Sequence, residues 1–388
     1  IEALKEGIVT LLVSPAFLIL NGEDSTPADR FASKLSYFLQ STLPTSELRE
    51  DVATGKLTSF EAILATLQSQ IEQSNIGPFL AEFPHAWLEL DDINFMSPDP
   101  EHYKTYHRKR LSEDMVAEVK HFFRHAVENN IPIPEFLSAD YSFINHDLAQ
   151  IYGAKDVPED STLRKYTFPN GRRGGLLGMG AFLTSTADSL STSPIHRAVY
   201  VMENFLGIHP TPPPADVKIT EPDVRQAKTI KEVLAAHTTQ ENCASCHANI
   251  DPYGYAFENF DPTGAWRDRY IVPKIIKPTS EAKAKEKNPK KQKPVTIRID
   301  ASSKFRNGKS YQNIIDFRKV ILTDINRDRF VRCFITKLLT YANGQEPDPS
   351  HYREINAILT KSAQHDYKIR ETIAAVIDST LFRETPSE

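Results

Sequence analysis

The pentapeptide Cys243-Ala244-Ser245-Cys246-His247 constrains this chain more than any other stretch of it. Its two thiols lie three positions apart, and a histidine follows the second without a gap. That is the spacing at which haem c is attached: the thiols bond the two vinyl groups of one porphyrin, and the imidazole is delivered to the iron. A chain carrying it is expected to fold around one covalent haem, with Cys243 and Cys246 as thioether links and His247 as the proximal metal ligand.

Two other chemistries use paired cysteines. A structural zinc site needs four ligands, usually from a second paired element, and Cys333 is solitary with no paired histidine downstream. A thioredoxin-type pair belongs to a βαβ pattern, whereas the flanks here read as helix and loop. Cys333 itself sits on the stripe Phe330, Phe334, Leu338 and reads as a buried, inert thiol.

The far side of the iron is less determined. Small c-type cytochromes usually take a methionine after the motif, but Met96, Met115, Met179 and Met202 all precede Cys243. Met115 and Met202 read as packing residues on helices. Met179 lies in Gly174-Gly175-Leu176-Leu177-Gly178-Met179-Gly180, where glycines allow close approach to a flat ligand. Three arrangements stay open: Met179, a histidine such as His237, or an open or solvent-ligated iron. A saturated iron transfers electrons, while an open one binds peroxide, oxygen or another small ligand. For the haem propionates the candidates are Arg172, Arg173, Arg197 and the pair Trp266-Arg267.

The rest of the chain sets the frame. It has 388 residues, 40% hydrophobic and 25% charged, which suits two or three ordinary globular domains. A net charge of -5 leaves no basic footprint for nucleic acid or an anionic membrane surface. The apolar run from Ile8 to Leu20 is too short to span a bilayer and reads as a core helix. Starting at Ile1 without methionine or signal peptide, the chain reads as a processed product or a piece of something longer.

Helical periodicity dominates the first 160 residues. Phe31, Leu35 and Phe38 share one face; Thr58-Ser59-Phe60-Glu61 reads as a capping box whose helix runs to Ile71 and turns Ile63, Leu64 and Leu67 inward. A longer helix after Ser112 buries Met115, Val119, Phe122, Phe123 and Val127, and Asn129-Asn130, Pro132 and Pro134 stop it. His121 and His125, with Glu118 one turn earlier, read as an exposed polar face rather than a metal site, and His102, Tyr103, Tyr106 and His107 read as surface or packing residues. Ser193-Pro194 opens another helix as cap and first residue. The clearest strand is the alternation Val295 to Ile299, expected to form a hairpin with neighbouring extended sequence. A polyproline linker falls near 209–215, and a lysine-rich solvated insertion at 273–294.

Several stretches together resemble a known family: Leu35-Ser36-Tyr37-Phe38-Leu39, Ala139 to Asn145, Gly174 to Leu177, Thr192 to Arg197, and Pro212-Pro213-Pro214. The densest match runs from Cys243 through Asp251-Pro252 and Phe257 to Asp261, then Gly264-Ala265-Trp266-Arg267, with Lys337 to Ala342 near the end. In these the chain resembles the large cytochrome c-like proteins of planctomycetes and related bacteria, tandem domains of unknown function numbered 1592, 1588 and 1585. The resemblance implies an exported, haem c-bearing protein, often part of a longer polypeptide with further amino-terminal modules.

The expectation is therefore a mainly α-helical protein with little β structure: a helical domain at 1–160 and a cytochrome c-like haem domain at 161–388. The leading functional expectation is a periplasmic or otherwise extracytoplasmic electron carrier, exchanging single electrons with a redox partner protein or small donor or acceptor. The alternatives are a haem enzyme with an open distal site acting on peroxide, oxygen or an oxidisable substrate, and a binding scaffold in which haem is structural.

Overall fold

A computed structural model describes residues 2–14, 25–211, 229–237, 241–272 and 295–383. The insertion 273–294 and residues 212–215 of the linker lie outside it, as do Leu20 and the side chains of His237 and Cys243. The protein is mainly α-helical; among the described residues the β structure is three two-stranded antiparallel ladders. No described helix is long and apolar enough to cross a membrane.

The chain divides into two compact units. The first takes the described residues within Ile1–Leu90, Val119–Phe136 and Arg327–Glu388. Its core is aromatic. The helix Gly77–Trp87 turns Phe79, Phe83 and Trp87 to one side at four-residue intervals, which is one face of a 3.6-residue period. Phe83 stacks on Phe79 at 5.4 Å and meets Phe123 at 5.4 Å and Phe334 edge-on at 5.5 Å. The helix Asp324–Asn343 supplies Phe330, Phe334 and Leu338, all fully buried, and Cys333 is buried beside them. Arg370 donates to the carbonyls of Val127 and Glu128, the last two of the helix Leu111–Glu128.

Two sequence expectations in this unit are corrected. The run beginning at Ile8 is not core: the helix Glu2–Leu12 buries none of its residues, and Leu11 and Val13 are more than half exposed. Apolar periodicity says which face could be covered, not that a partner surface exists among the same residues. The helix after Thr58 is Phe60–Glu72, capped by Ser59, whose hydroxyl accepts from the Ala62 amide. With Ser59 as cap, Glu61 stands one place short of the position that closes a box; the full box is at Thr26 and Asp29. Ile63 and Leu67 are buried as expected, while Leu64 is only partly covered.

The second unit is built from Asp91–Glu118 and Leu137–Asn326. Arg197, fully buried, is its polar hub. It follows the cap Ser193 and the first-turn Pro194 on the helix Pro194–Tyr200, which continues as a π-helical turn, Val201–Phe205. Its guanidinium donates to the carbonyls of Phe257 (2.6 Å), Phe260 (2.9 Å), Leu183 (3.0 Å) and Asp261 (3.2 Å). These carbonyls lie in the short helix Gly180–Ser185 and in the turns at 255–261, so one side chain ties separate segments together. Around it Phe182, Phe257 and Phe317 form an edge-to-face chain at 5.0 and 5.4 Å.

Glu118, expected on an exposed polar face, is instead fully buried, in a second network with Ser142, Tyr152 and Gly180. Ser142 and Tyr152 each donate a hydroxyl to the Glu118 carboxyl, at 2.5 and 2.6 Å, and the Gly180 amide donates to the Tyr152 oxygen at 2.8 Å. Burial pushes the Glu118 carboxyl up to about 7, against the pull of these donors. The predicted hairpin is present: Arg269–Val272 pairs antiparallel with Val295–Arg298. A further ladder, Tyr141–Ile144 with Arg164–Thr167, carries no comparable alternation signal.

Candidate functional site

The Cys-x-x-Cys-His segment lies on the helix Glu241–Ile250, with Cys243 one turn before Cys246. Cys246 is exposed, and the His247 ring is largely covered, 17% exposed. The helix runs into a 3₁₀ turn, Asp251–Tyr253, so that Asp251 falls four residues after His247 and beneath its ring. Nδ1 of His247 lies 2.9 Å from Oδ1 of Asp251. An ionised carboxylate only accepts, so Nδ1 carries the proton and the other lone pair is on Nε2. That hydrogen bond raises the imidazole pKa above its ordinary value, against a smaller opposing effect of burial.

The remaining oxygen of Asp251 accepts from the Tyr255 hydroxyl at 3.1 Å. In the Asp251-Pro252-Tyr253-Gly254 turn the Pro252 carbonyl accepts from Tyr311 at 2.8 Å, and the Asp251 carboxylate takes the imidazole. Gly254 is required here for space. A Cβ built on it would stand 1.8 Å from the carbonyl oxygen of Pro194, so any side chain would push the turn off the neighbouring helix.

Beside His247 is a cavity of about 490 Å³, lined by Ala244, Ala248, Pro252 and Phe305 together with Asp251, Tyr255 and Ser303, and rimmed by the exposed cations Lys304 and Arg306. Arg306 also ties back to the helix through the carbonyl of Ser245 at 3.0 Å.

The other sequence candidates are distributed through the second unit. Met179 is buried, between the 3₁₀ turn Leu176–Gly178 and the helix Gly180–Ser185. Arg173 is buried, donates to the carbonyls of Gly178 and Gly264, and lies over the Tyr152 ring at 3.7 Å. Arg197 holds the carbonyls already described. Arg267 donates to Thr192 Oγ1 at 2.8 Å and pairs with Glu258 at 3.7 Å. Trp266 donates to Asp268 at 3.0 Å and carries Arg172 over its ring at 4.5 Å; both line a different cavity, of about 610 Å³. None of these residues lines the His247 cavity.

Sequence reasoning missed Asp251 as the partner of His247, and with it Tyr255, Tyr311, Lys304 and Arg306. The four-residue spacing from His247 to Asp251 was a usable signal; nothing local pointed to Tyr311.

Three families match in tandem. Protein of unknown function (DUF1592) matches residues 28–154, Protein of unknown function (DUF1588) residues 173–270, and Protein of unknown function (DUF1585) residues 307–382. The chain belongs to the family that carries these three domains in series. No curated protein and no solved structure matches it. Within this family architecture, the Cys-x-x-Cys-His helix, Asp251 and Tyr255 fall in the DUF1588 stretch, and Tyr311 in the DUF1585 stretch. The hydrogen bond from Tyr311 to Pro252 therefore joins two of the three domains at the candidate site.

The local residues fit a covalent haem on chemical grounds. An exposed thiol, an imidazole with its Nδ1 proton committed, a cavity walled in part by Ala244, Ala248, Pro252 and Phe305, and two cations at its rim are parts such a group needs. Cys243 and Cys246 would be the attachment points, His247 the ligand through Nε2, and Lys304 and Arg306 the nearest partners for carboxylates.

Proposed function

We propose that the protein is an exported c-type cytochrome that holds one covalent haem on Cys243, Cys246 and His247 and passes single electrons to and from a redox partner. The observation that carries the reading is the oriented His247 ring, fixed by Asp251 at 2.9 Å one residue after an exposed cysteine and beside a cavity. Bound haem would supply a one-electron Fe(III)/Fe(II) couple; the chain's own part is to orient the imidazole, wall the porphyrin and offer cations at its rim.

The test is expression in a bacterium with an active cytochrome c maturation system, followed by denaturing electrophoresis with haem staining and mass spectrometry. Haem should stay with the polypeptide after denaturation and be lost in Cys243→Ser, Cys246→Ser. A folded wild-type chain without covalent haem sinks the reading.

A haem enzyme with an open distal position is the second reading. It is favoured by one observation: among the described residues lining the cavity, His247 is the sole histidine and no methionine occurs. Cyanide and carbon monoxide separate the two. Rapid binding supports an open site, whereas a methionine charge-transfer band that persists in the ferric protein supports ligation by Met179.

A further inference from the structure

We infer that Asp251 and Tyr255 form a tuning pair behind the proximal imidazole, with Asp251 strengthening the donation of His247 to a bound iron and Tyr255 moderating it. The inference rests on the haem reading and adds what that reading leaves out, the control of the couple's potential.

A histidine that donates Nδ1–H to a neutral backbone carbonyl keeps most of its proton's charge. Donation to a carboxylate draws the proton away from the ring, so Nε2 becomes a more basic and more anionic ligand. Such a ligand stabilises the higher oxidation state of the metal, and the midpoint potential falls. Here the carboxylate is in place at 2.9 Å, and the Pro252 carbonyl of the same turn accepts from Tyr311 at 2.8 Å. Asp251 is buried with 8% exposure, so little solvent screens the pair.

Tyr255 acts in the opposite sense. Its hydroxyl donates to the second carboxylate oxygen at 3.1 Å and takes part of the negative charge that would otherwise act on His247. The two residues are thus positioning residues with opposite expected signs, which packing alone would not produce.

The experiment is redox titration of the holoprotein and two near-isosteric variants. Asp251→Asn replaces the carboxylate by a neutral acceptor. It should raise the Fe(II):Fe(III) ratio at fixed potential at least tenfold, a positive shift of about 59 mV for a one-electron couple. Tyr255→Phe should shift the midpoint negative. Resonance Raman spectra of the five-coordinate ferrous form, prepared by photolysis of its carbon monoxide adduct where a sixth ligand is present, give a second readout. The iron–histidine stretch should fall in Asp251→Asn and rise in Tyr255→Phe.

Covalent haem with a midpoint unmoved in Asp251→Asn overturns the tuning pair and leaves the cytochrome reading intact. Shifts of the same sign in both variants also overturn it. Absence of covalent haem from the wild type overturns the cytochrome reading itself. Should Asp251→Asn fail to fold, Tyr255→Phe decides alone, and a positive or absent shift there overturns the inference.

Discussion

Tyr311, 1% exposed, donates its hydroxyl to the carbonyl of Pro252 at 2.8 Å across a sequence separation of 59 residues. The turn that follows the Cys-x-x-Cys-His helix is thereby clamped by a residue from beyond the lysine-rich insertion. Local sequence brings Asp251 under His247, and a distant side chain holds the turn that keeps it there.

Tyr311→Phe removes only that hydroxyl. It leaves a buried carbonyl without its donor and should cost about 1–3 kcal/mol. Urea denaturation of purified protein reads the loss as a lower midpoint at unchanged slope. An unchanged midpoint means that water or another group satisfies Pro252.

Arg197→Lys keeps the charge and loses the fork that serves four carbonyls. A single ammonium on a flexible stem cannot reach all four acceptors, so destabilisation of about 3 kcal/mol or more is expected. Thermal unfolding of the two proteins at one pH makes the comparison, and a shift within error contradicts the hub role.

Glu118 gives the protein a pH dependence of known sign. Its carboxyl is ordinary when unfolded, at 4.5, and is raised to about 7 in the folded state, chiefly by burial. A raised folded pKa means a contribution fully present below about 4.5, lost as pH rises to about 7, and flat above. The stability of the wild type relative to Glu118→Gln should therefore fall across that window, by on the order of 3 kcal/mol. Melting temperatures of both proteins between pH 4 and 8 check it. A constant difference would falsify the assignment.

Gly254→Ala should destabilise by about 1–3 kcal/mol or more, because the new methyl meets the Pro194 carbonyl at 1.8 Å. Gly7→Ala is the control. Nothing lies within 4 Å of its Cβ position and it lies inside the helix Glu2–Leu12, so the same substitution should be neutral or stabilise by about 0.4–1 kcal/mol. Equal effects at both sites, measured by denaturation, would argue against the close approach.

What the sequence revealed here was what is local. The faces Phe31, Leu35, Phe38 and Met115, Val119, Phe122, Phe123, Val127 are buried as their spacing predicts, because helical period and burial are the same fact. Ser193 and Pro194 cap their helix for equally local reasons. Failures came where the deciding partner is remote or missing. Ile8 looked buried because an apolar face does not announce whether anything covers it. Nothing near Pro252 pointed to Tyr311, 59 residues away. Arg197 and Arg173 give their donors to backbone carbonyls, and carbonyls that take a side-chain donor leave no mark in the sequence.

Val272 faces Val295 across the antiparallel ladder Arg269–Val272 with Val295–Arg298. Residues 273–294 thus depart and return at positions roughly 5 Å apart. The ends stay pinned whatever the length between them, and doubling a loop costs only about 0.6 kcal/mol in closure entropy. This is a graft point. The stretch can be lengthened, shortened or rewritten without disturbing the turn that holds Asp251 under His247. An Asn-Gly pair would close the same hairpin, and a reporter peptide spliced there would ride on the protein while leaving its fold unaltered.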